Sequence, residues 1–298
     1  MEGVAGTAGY GVARHGTDWQ AWLGVAAPVT ARRGRQGKSR RRKAWHGAAG
    51  RNKGETKMAF DFTKLVITNA DGPDVPFDNT PISADGCRVT ALFGNLEDSL
   101  CQVIRDSDFV IGCVAWLTNA NVLRALSVPR EGVQLVVQKE DWLRPDCSSS
   151  RNEPWKSLLR EAYDDLECRI DRWSMSSMLG MPTLSSGWDV DENAVRCAGN
   201  HNSARDPAFP RMHHKFFVLC DVGVDDEYGM PSSITPRSVW TGSFNPTANG
   251  TRSRENAVVI ESESIARAYA REWFQVYAIS EPLDWESVWC QPQYRIGT

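Results

Sequence analysis

Residues 108–138 read DFVIGCVAWLTNANVLRALSVPREGVQLVVQ and contain two apolar runs with a helical pattern between them. The run at 108–117 is continuous and of strand length, and the run at 132–138 predicts a second strand, both buried on the two faces of a sheet. The segment at about 119–127 has apolar residues at helical spacing. Strand, helix and strand in this order predict a mixed α/β fold, in which a largely parallel sheet is flanked by helices on both faces.

The pattern on either side extends this fold. Apolar residues three and four apart predict three more helices (89–105, 154–166 and 263–279). Short apolar runs predict four more strands (194–198, 213–221, 237–242 and 256–261). The Ser-, Gly- and Met-rich segment 174–187 has neither pattern and predicts a long functional or mobile loop.

The carboxyl ends of the first two predicted strands carry polar and aromatic residues (Trp116, Thr118, Asn119, Lys139 and Trp142). Because α/β sheets bind ligands at these ends, the residues are expected near a cleft. Packing or surface exposure is the simpler role for each of them.

Charge is unevenly distributed along the chain. Residues 1–57 hold 12 Lys and Arg against 3 Asp and Glu, a balance of +9. The remainder holds 22 of the 34 basic residues and 34 of the 37 acidic ones, a balance of −12. Affinity for duplex DNA without sequence preference comes from basic residues along many phosphates, so an acidic body argues against that function. A local basic cleft stays compatible with it.

The basic segment 1–57 is rich in Gly, Ala and Arg and has no apolar periodicity. Such a composition cannot bury enough surface to offset ordering entropy, so disorder is expected. Three explanations stay open: a polyanion-binding arm, a targeting segment, or translation from a misassigned start. We favour the third, which puts the true start at Met58 and leaves 58–298 as a single domain.

The eight cysteines are scattered without a CxxC pair, and several lie in apolar runs. They predict buried free thiols in a reducing compartment, and hence a cytoplasmic protein. Cys197 and His201 lack a second ligand pair, so no metal site is expected. No apolar stretch approaches the roughly 20 residues of a transmembrane helix.

Two segments carry residues suited to chemistry. In RMHHKFFVLCD (211–221), alternation puts His213 and Lys215 on one face at the start of a strand that FFVL anchors. Alone, such a pair fits an ordinary solvated strand end. The second segment, SVWTGSFNPTANGTRSREN (238–256), adds Asn245 and Glu255.

Together these residue types fit phosphodiester cleavage. A neutral imidazole can attack phosphorus and form a phosphohistidine, which divides one difficult displacement into two easier ones. A cation and an amide donor at the non-bridging oxygens stabilise transition-state charge. A carboxylate on the far ring nitrogen fixes the tautomer of the histidine.

The combination of HxK, GSxN and a downstream Glu-Asn resembles the signature of the phospholipase D superfamily over about residues 85–280. The resemblance implies that 58–298 is a phospholipase D-like catalytic domain without metal or cofactor. It makes His213 the nucleophile, Lys215 and Asn245 the phosphate contacts, Ser243 a support of the pocket and Glu255 the partner of the histidine.

Three features near the motifs differ from the signature or bear on access to it. The family has Asp where this chain has Cys220, with Asp221 one residue later, which puts local geometry in doubt more than the reaction. His214 points to the opposite strand face and is expected to be a packing residue. The acidic, turn-rich segment 223–238 is expected to form a hairpin beside the site and to restrict access.

The mechanism also needs a general acid, generally a second histidine across the phosphate. The sequence holds no second HxK and no second GSxN. We therefore expect a two-fold homodimer with a composite active site between two copies of His213.

The sequence leaves the substrate open. Nucleic acid is slightly preferred, as for the single-motif bacterial endonucleases of this superfamily, because arginines flank the motifs (Arg205, Arg211, Arg252 and Arg254). Of these, Arg211 and Arg254 join Ser243 as candidate substrate-binding residues. Phospholipid headgroups are the alternative, supported by a Met-rich segment with an aromatic neighbour (Trp173, Met175, Met178 and Met181). A third hypothesis is a non-catalytic module that binds phosphate or nucleic acid on the same fold.

Overall fold

The computed structural model describes most of the chain after residue 65 (66–80, 84–143, 154–186, 193–202, 211–285, 287, 289 and 291–297). The predictions for 1–57 and for a start at Met58 lie outside these residues. Within them, eleven strands and five α-helices follow one another, with two short 3₁₀ turns at Asp141–Leu143 and Gly250–Arg252.

The strands and helices have the following bounds. The strands are β1 Val66–Ile67, β2 Val75–Pro76, β3 Arg88–Leu92, β4 Phe109–Val114, β5 Val133–Glu140, β6 Leu184–Ser186, β7 Val195–Asn202, β8 Lys215–Val224, β9 Pro231–Gly242, β10 Ala257–Glu261 and β11 Tyr294–Ile296. The helices are α1 Leu96–Arg105, α2 Ala120–Leu126, α3 Pro154–Asp164, α4 Arg172–Leu179 and α5 Glu263–Ala278.

The central sheet has seven strands in the order β3-β10-β9-β8-β4-β5-β7. The mixed α/β architecture predicted from the sequence is confirmed. Parallel pairing is confined to β4 with β5 and β5 with β7, and the other four neighbour pairs are antiparallel, so the expectation of a largely parallel sheet is wrong. The hairpin between β8 and β9 imposes this, because two strands joined by a tight turn run in opposite directions.

Helices cover both faces of the sheet, as predicted. On β4, Val110 and Val114 belong to the buried cluster that includes residues of α1, α2 and α3. Ile111 and Cys113 alternate with them and belong to the cluster formed with α4 and α5. Strand alternation thus gives the sheet two apolar faces, each of which is covered by helices.

Two predicted elements are wrong in part. The helix expected over 89–105 begins at Leu96, because Val89 pairs with Ile260 and joins the edge strand β3. The loop expected over 174–187 contains α4 and β6, within the described part of that segment. Asp171 caps α4 by accepting hydrogen bonds from the backbone amides of Trp173 and Ser174, a local signal that composition concealed.

The hairpin at 223–238 does not restrict access to the predicted site. Its turn lies between Val224 and Pro231, whereas the motif residues lie at the other ends of β8 and β9. β8 contains 10 residues, which at strand rise separates the turn from Lys215 by about 30 Å. The prediction failed because β9 is longer than its apolar core: six of its 12 residues precede position 237.

Two further predictions concern compartment and membrane. The six cysteines of the described residues are free thiols, and four of them are buried. None of the described helices combines the length and the apolarity that a membrane span requires. The cytoplasmic location stays a prediction.

Candidate active site

The predicted site residues converge on one edge of the sheet, meaning here the side at which strands begin or end and not an outermost strand. β4 and β9 end there, and β8 and β10 begin there: Lys215 pairs with Val114, and Ala257 pairs with Gly242. His213 stands three residues before Phe216, where β8 begins to pair with β9, so it lies beside the end of β9. Antiparallel neighbours therefore bring together motifs that are about 30 residues apart in sequence.

His213 and Lys215 form the centre of this edge. The ammonium nitrogen of Lys215 lies 3.2 Å from Nδ1 and 3.3 Å from Nε2 of the imidazole, and it also donates to the backbone oxygen of His213 at 3.1 Å. Partial burial lowers the pKa of His213 below 6.5, and the charges of Lys215, Arg211 and His214 lower it further. The imidazole is therefore neutral at neutral pH, the form in which it is a nucleophile.

Lys215 is partly buried and lies near one carboxylate. Burial lowers the pKa of Lys215, and the negative charge of Glu255 opposes that shift. The two residues are therefore close enough to interact, and the ammonium group stays available to neutralise an anion at the site.

Trp116 forms one wall of the site. Its ring meets the ring of His213 edge to face, with centroids 5.3 Å apart and planes at 79°. The indole nitrogen donates a hydrogen bond of 2.7 Å to Oε1 of Glu140, which is 4% exposed at the end of β5. The sequence placed Trp116 near a cleft but not beside His213, and it missed Glu140, a carboxylate at the end of an otherwise buried strand.

The loop between β9 and β10 carries Asn245 into the site. The carbonyl of Pro246 accepts hydrogen bonds from the backbone amides of Thr118 (2.8 Å) and Asn119 (2.9 Å), which fixes the loop to the end of β4. The loop then folds back through Gly250, where a Cβ would overlap the carbonyl oxygen of Asn245. Oδ1 of Asn245 is buried without a hydrogen-bond partner among the described residues; this oxygen accepts from a donor such as water, whereas Nδ2 is the atom that can donate to a phosphate.

Ser243 and Glu255 close the loop at its base. The Ser243 hydroxyl donates to Oε2 of Glu255 and accepts from the backbone amide of Asn256 at 3.1 Å. Among the described residues, no hydrogen bond joins Glu255 to His213. The Glu255 carboxylate accepts the hydrogen bond from Ser243, and its negative charge favours the protonated form of Lys215. Its expected hydrogen bond to the histidine stays a prediction.

The arginines of the motifs lie on two sides. Arg211 is half-buried and near enough to His213 to lower its pKa. Arg254 is exposed and lines a separate cleft next to Glu255. The two candidate substrate contacts thus flank the centre instead of sharing one position.

His214 and Cys220 lie within the first motif segment, but their side chains contact residues outside the predicted site. Nε2 of His214 lies 2.8 Å from Oε1 of Glu272 on α5, on the opposite face from Lys215. Cys220 is fully buried in the core, and burial raises the pKa of its thiol. The adjacent Asp221 instead pairs with Arg237 at 3.1 Å on the surface. No carboxylate therefore occupies the place that the family gives to Asp.

Lys139 does not line the site. Its side chain is fully buried, and Nζ contacts both carboxylate oxygens of Glu281 at 2.8 and 2.9 Å. It also donates to the carbonyls of Ser287 and Trp289. Lys139 therefore has a structural role. Within the described part of the chain, no group of three or more His, Cys, Asp or Glu residues is arranged to hold a metal ion.

Fold and site together define an α/β protein with a histidine-lysine pair at the edge of a mixed sheet. No family model matches the sequence. The uncharacterized protein L381 of Acanthamoeba polyphaga mimivirus is 31% identical over 204 residues, which make up 65% of this chain and 67% of that protein. The chain belongs to the same family as that protein.

Several solved structures are similar to the chain. NucT from Helicobacter pylori is 12% identical with a TM-score of 0.40, over 66% of this chain and 99% of that one. Nuc from Salmonella typhimurium, described as a phospholipase D family member, is 18% identical with a TM-score of 0.39, over 68% and 100%. Phosphatidylserine synthase from Haemophilus influenzae is 12% identical with a TM-score of 0.36, over 70% and 42%.

Proposed function

We propose that the protein is a metal-independent phosphodiesterase of the phospholipase D superfamily that works through a phosphohistidine. The observation that carries this proposal is the contact of Lys215 with His213. Partial burial and, after it, the charge of Lys215 lower the pKa of His213 and favour the neutral imidazole, and the same cation can contact a phosphate bound at the histidine. The buried amide of Asn245 supplies a further polar group on the same edge.

The reaction has two steps. The unprotonated ring nitrogen of His213 attacks phosphorus, the P–N bond forms as the P–O bond to the leaving group breaks, and a general acid gives that oxygen its proton. Water, deprotonated by the same group, then attacks the phosphohistidine and releases His213. Lys215 and Asn245 stabilise the charge on the non-bridging oxygens in both steps.

A second copy of the chain supplies the general acid in this proposal. Among the described histidines, His201 and His214 have other surroundings: His201 lies near Asp141 and His214 contacts Glu272 on the far face of β8. The homodimer with two facing copies of His213 therefore stays our expectation. Sedimentation equilibrium of the purified protein tests it, and a monomer that is fully active would exclude it.

Nucleic acid is the substrate that we favour over phospholipid. Of the residues that supported a lipid-binding surface, Met175 is 1% exposed, and Met178 and Met181 are partly buried against the same core cluster. Trp173 is 47% exposed, so three of the four pack on the core. Arg211 and Arg254, by contrast, flank the site and suit a chain of phosphates.

The test compares turnover of fluorogenic single-stranded DNA, RNA and phosphatidylcholine in the presence of EDTA. We expect cleavage of nucleic acid that EDTA does not affect, and loss of turnover in His213→Ala with substrate affinity kept. His214→Ala is the matched control, because it changes the neighbouring ring on the opposite strand face. Turnover that EDTA abolishes would refute the metal-free mechanism, and wild-type protein inactive on every phosphodiester would favour the non-catalytic binding module.

A further inference from the structure

A cleft of about 730 Å³ adjoins the candidate active site through Glu255. It lies between the start of α1 and the part of the β9–β10 loop that follows Gly250. One wall carries Phe93 and Asn95, and the other carries Arg252 and Arg254. Glu255 is common to the cleft and to the site, and its charge acts on Lys215, so the cleft is next to the site.

Phe93 is the aromatic residue of this cleft that the fold leaves in water. Its exposed fraction is 79%, although β3 ends only one residue earlier, at Leu92. Single exposed apolar residues are common on proteins. This one stands in a concave region beside two cations, and an open aromatic face of that kind stacks on an unpaired base whatever the base is.

The cleft carries mixed charge, with three carboxylates and two guanidinium groups. Neither Arg252 nor Arg254 forms an ion pair with a described residue. Two of the three acidic residues in the lining are already held by protein groups: Glu97 accepts from Asn119 Nδ2 at 2.8 Å and from Asn121, and Glu255 accepts from Ser243. The third, Asp98, is exposed.

We propose that this cleft binds the nucleotide next to the scissile phosphate of a single-stranded nucleic acid, with its base stacked on Phe93 and its phosphate held by Arg252 and Arg254. The proposal rests on the proposed function, since it names the substrate class for the same site. A cleft of this volume accommodates a single drug-sized group. A paired base inside a duplex does not present its face for stacking, so the strand that binds here is unpaired.

The experiment measures binding of a fluorescent ten-nucleotide oligothymidylate, and of an oligomer of the same length without bases, by anisotropy in EDTA. Phe93→Ala should weaken oligothymidylate binding about 5- to 100-fold and leave the abasic oligomer almost unaffected, since stacking requires a base. Val89→Ala is the matched control, because Val89 is an exposed apolar residue of β3, the strand that Phe93 follows.

The arginines are tested with the same two probes. Arg252→Gln together with Arg254→Gln should weaken both oligomers and lower the slope of log affinity against log salt by about one. Arg105→Gln, at the exposed end of α1, is the control and should change neither quantity.

Three outcomes overturn the proposal. Phe93→Ala that behaves as Val89→Ala on both oligomers excludes stacking. A change of sedimentation mass in Phe93→Ala assigns the surface to a second copy of the chain. Phe93-dependent binding to phosphatidylglycerol vesicles in preference to oligothymidylate assigns it to lipid.

The two proposals fail separately. If the wild type turns over a small chromogenic phosphodiester but Phe93→Ala does not change oligomer binding, the cleft proposal is wrong and the proposed enzymatic function stands. If oligothymidylate binding depends on Phe93 but the wild type turns over no phosphodiester, the proposed enzymatic function is wrong and the cleft proposal stands.

Discussion

Replacing Lys139 by Met should destabilise the protein by about 3 to 5 kcal/mol, because it removes one partner of a buried ion pair. Lys139 is fully buried and the Glu281 side chain is 5% exposed, so the carboxylate would lose the ammonium group that contacts it in a place with little water. The backbone amide of Gln291 would still donate to Oε1 at 2.7 Å. The carbonyls of Ser287 and Trp289 would lose their donor.

Urea unfolding and thermal unfolding measure this effect. For a domain of this size, 3 to 5 kcal/mol corresponds to a decrease in Tm of about 6 to 20 °C. Arg88→Met is the matched control: Arg88 and Glu261 also form an ion pair, but their side chains are 74% and 39% exposed, so its loss should cost less than about 1 kcal/mol.

A double substitution separates the charge from the packing. Adding Glu281→Gln to Lys139→Met removes the buried negative charge and keeps an acceptor for Gln291, so it should recover about half of the lost free energy. If Lys139→Met costs no more than Arg88→Met, or if the second substitution only adds to the loss, the account of this buried pair is wrong.

Three further predictions concern the site itself. Because the pKa of His213 is lowered, kcat/KM should persist below pH 6.5 and fall only at lower pH, and Arg211→Gln should move that limb to higher pH; a pH-rate profile with an unmoved limb would contradict the electrostatic argument. Asn245→Ala should lower kcat about 100- to 1,000-fold, whereas Asn249→Ala, exposed on the same loop, should leave it within about twofold in steady-state assays; equal losses would show only that the loop is disturbed. Trp116→Phe keeps a ring beside His213 but removes the indole donor to a buried carboxylate, which should cost about 1.5 to 3 kcal/mol in urea unfolding, and an unchanged midpoint would show that this hydrogen bond contributes no net stability.

The local sequence pattern was enough to predict those strands and helices whose apolar residues follow one clear spacing. Every residue of β4 and β5 is buried because both faces of the sheet are covered, and the apolar runs within them identified both strands. The helix spacing of α2, α3 and α5 was equally plain. The composition of 174–187, in contrast, concealed a capped helix of eight residues.

Long-range pairing decided the elements that the pattern missed. Val89 to Leu92 continue a helical spacing into α1, but β10 offers them an open edge, and ladder pairing there outweighs propensity. The same rule set the length of β9, whose first half is polar and exists because β8 is there to pair with it.

By itself the sequence determined that the chain has a mixed α/β domain and that His213, Lys215, Ser243, Asn245 and Glu255 belong together, since residue type and spacing are enough to name such a set. Only the tertiary structure decided which contacts they make. Antiparallel pairing of β8, β9 and β10 brings the motifs to one edge, places Glu255 on Ser243, and puts Trp116 beside the histidine. The physical reason is that strand order and side-chain burial depend on partners far away in the chain, which a local pattern does not contain.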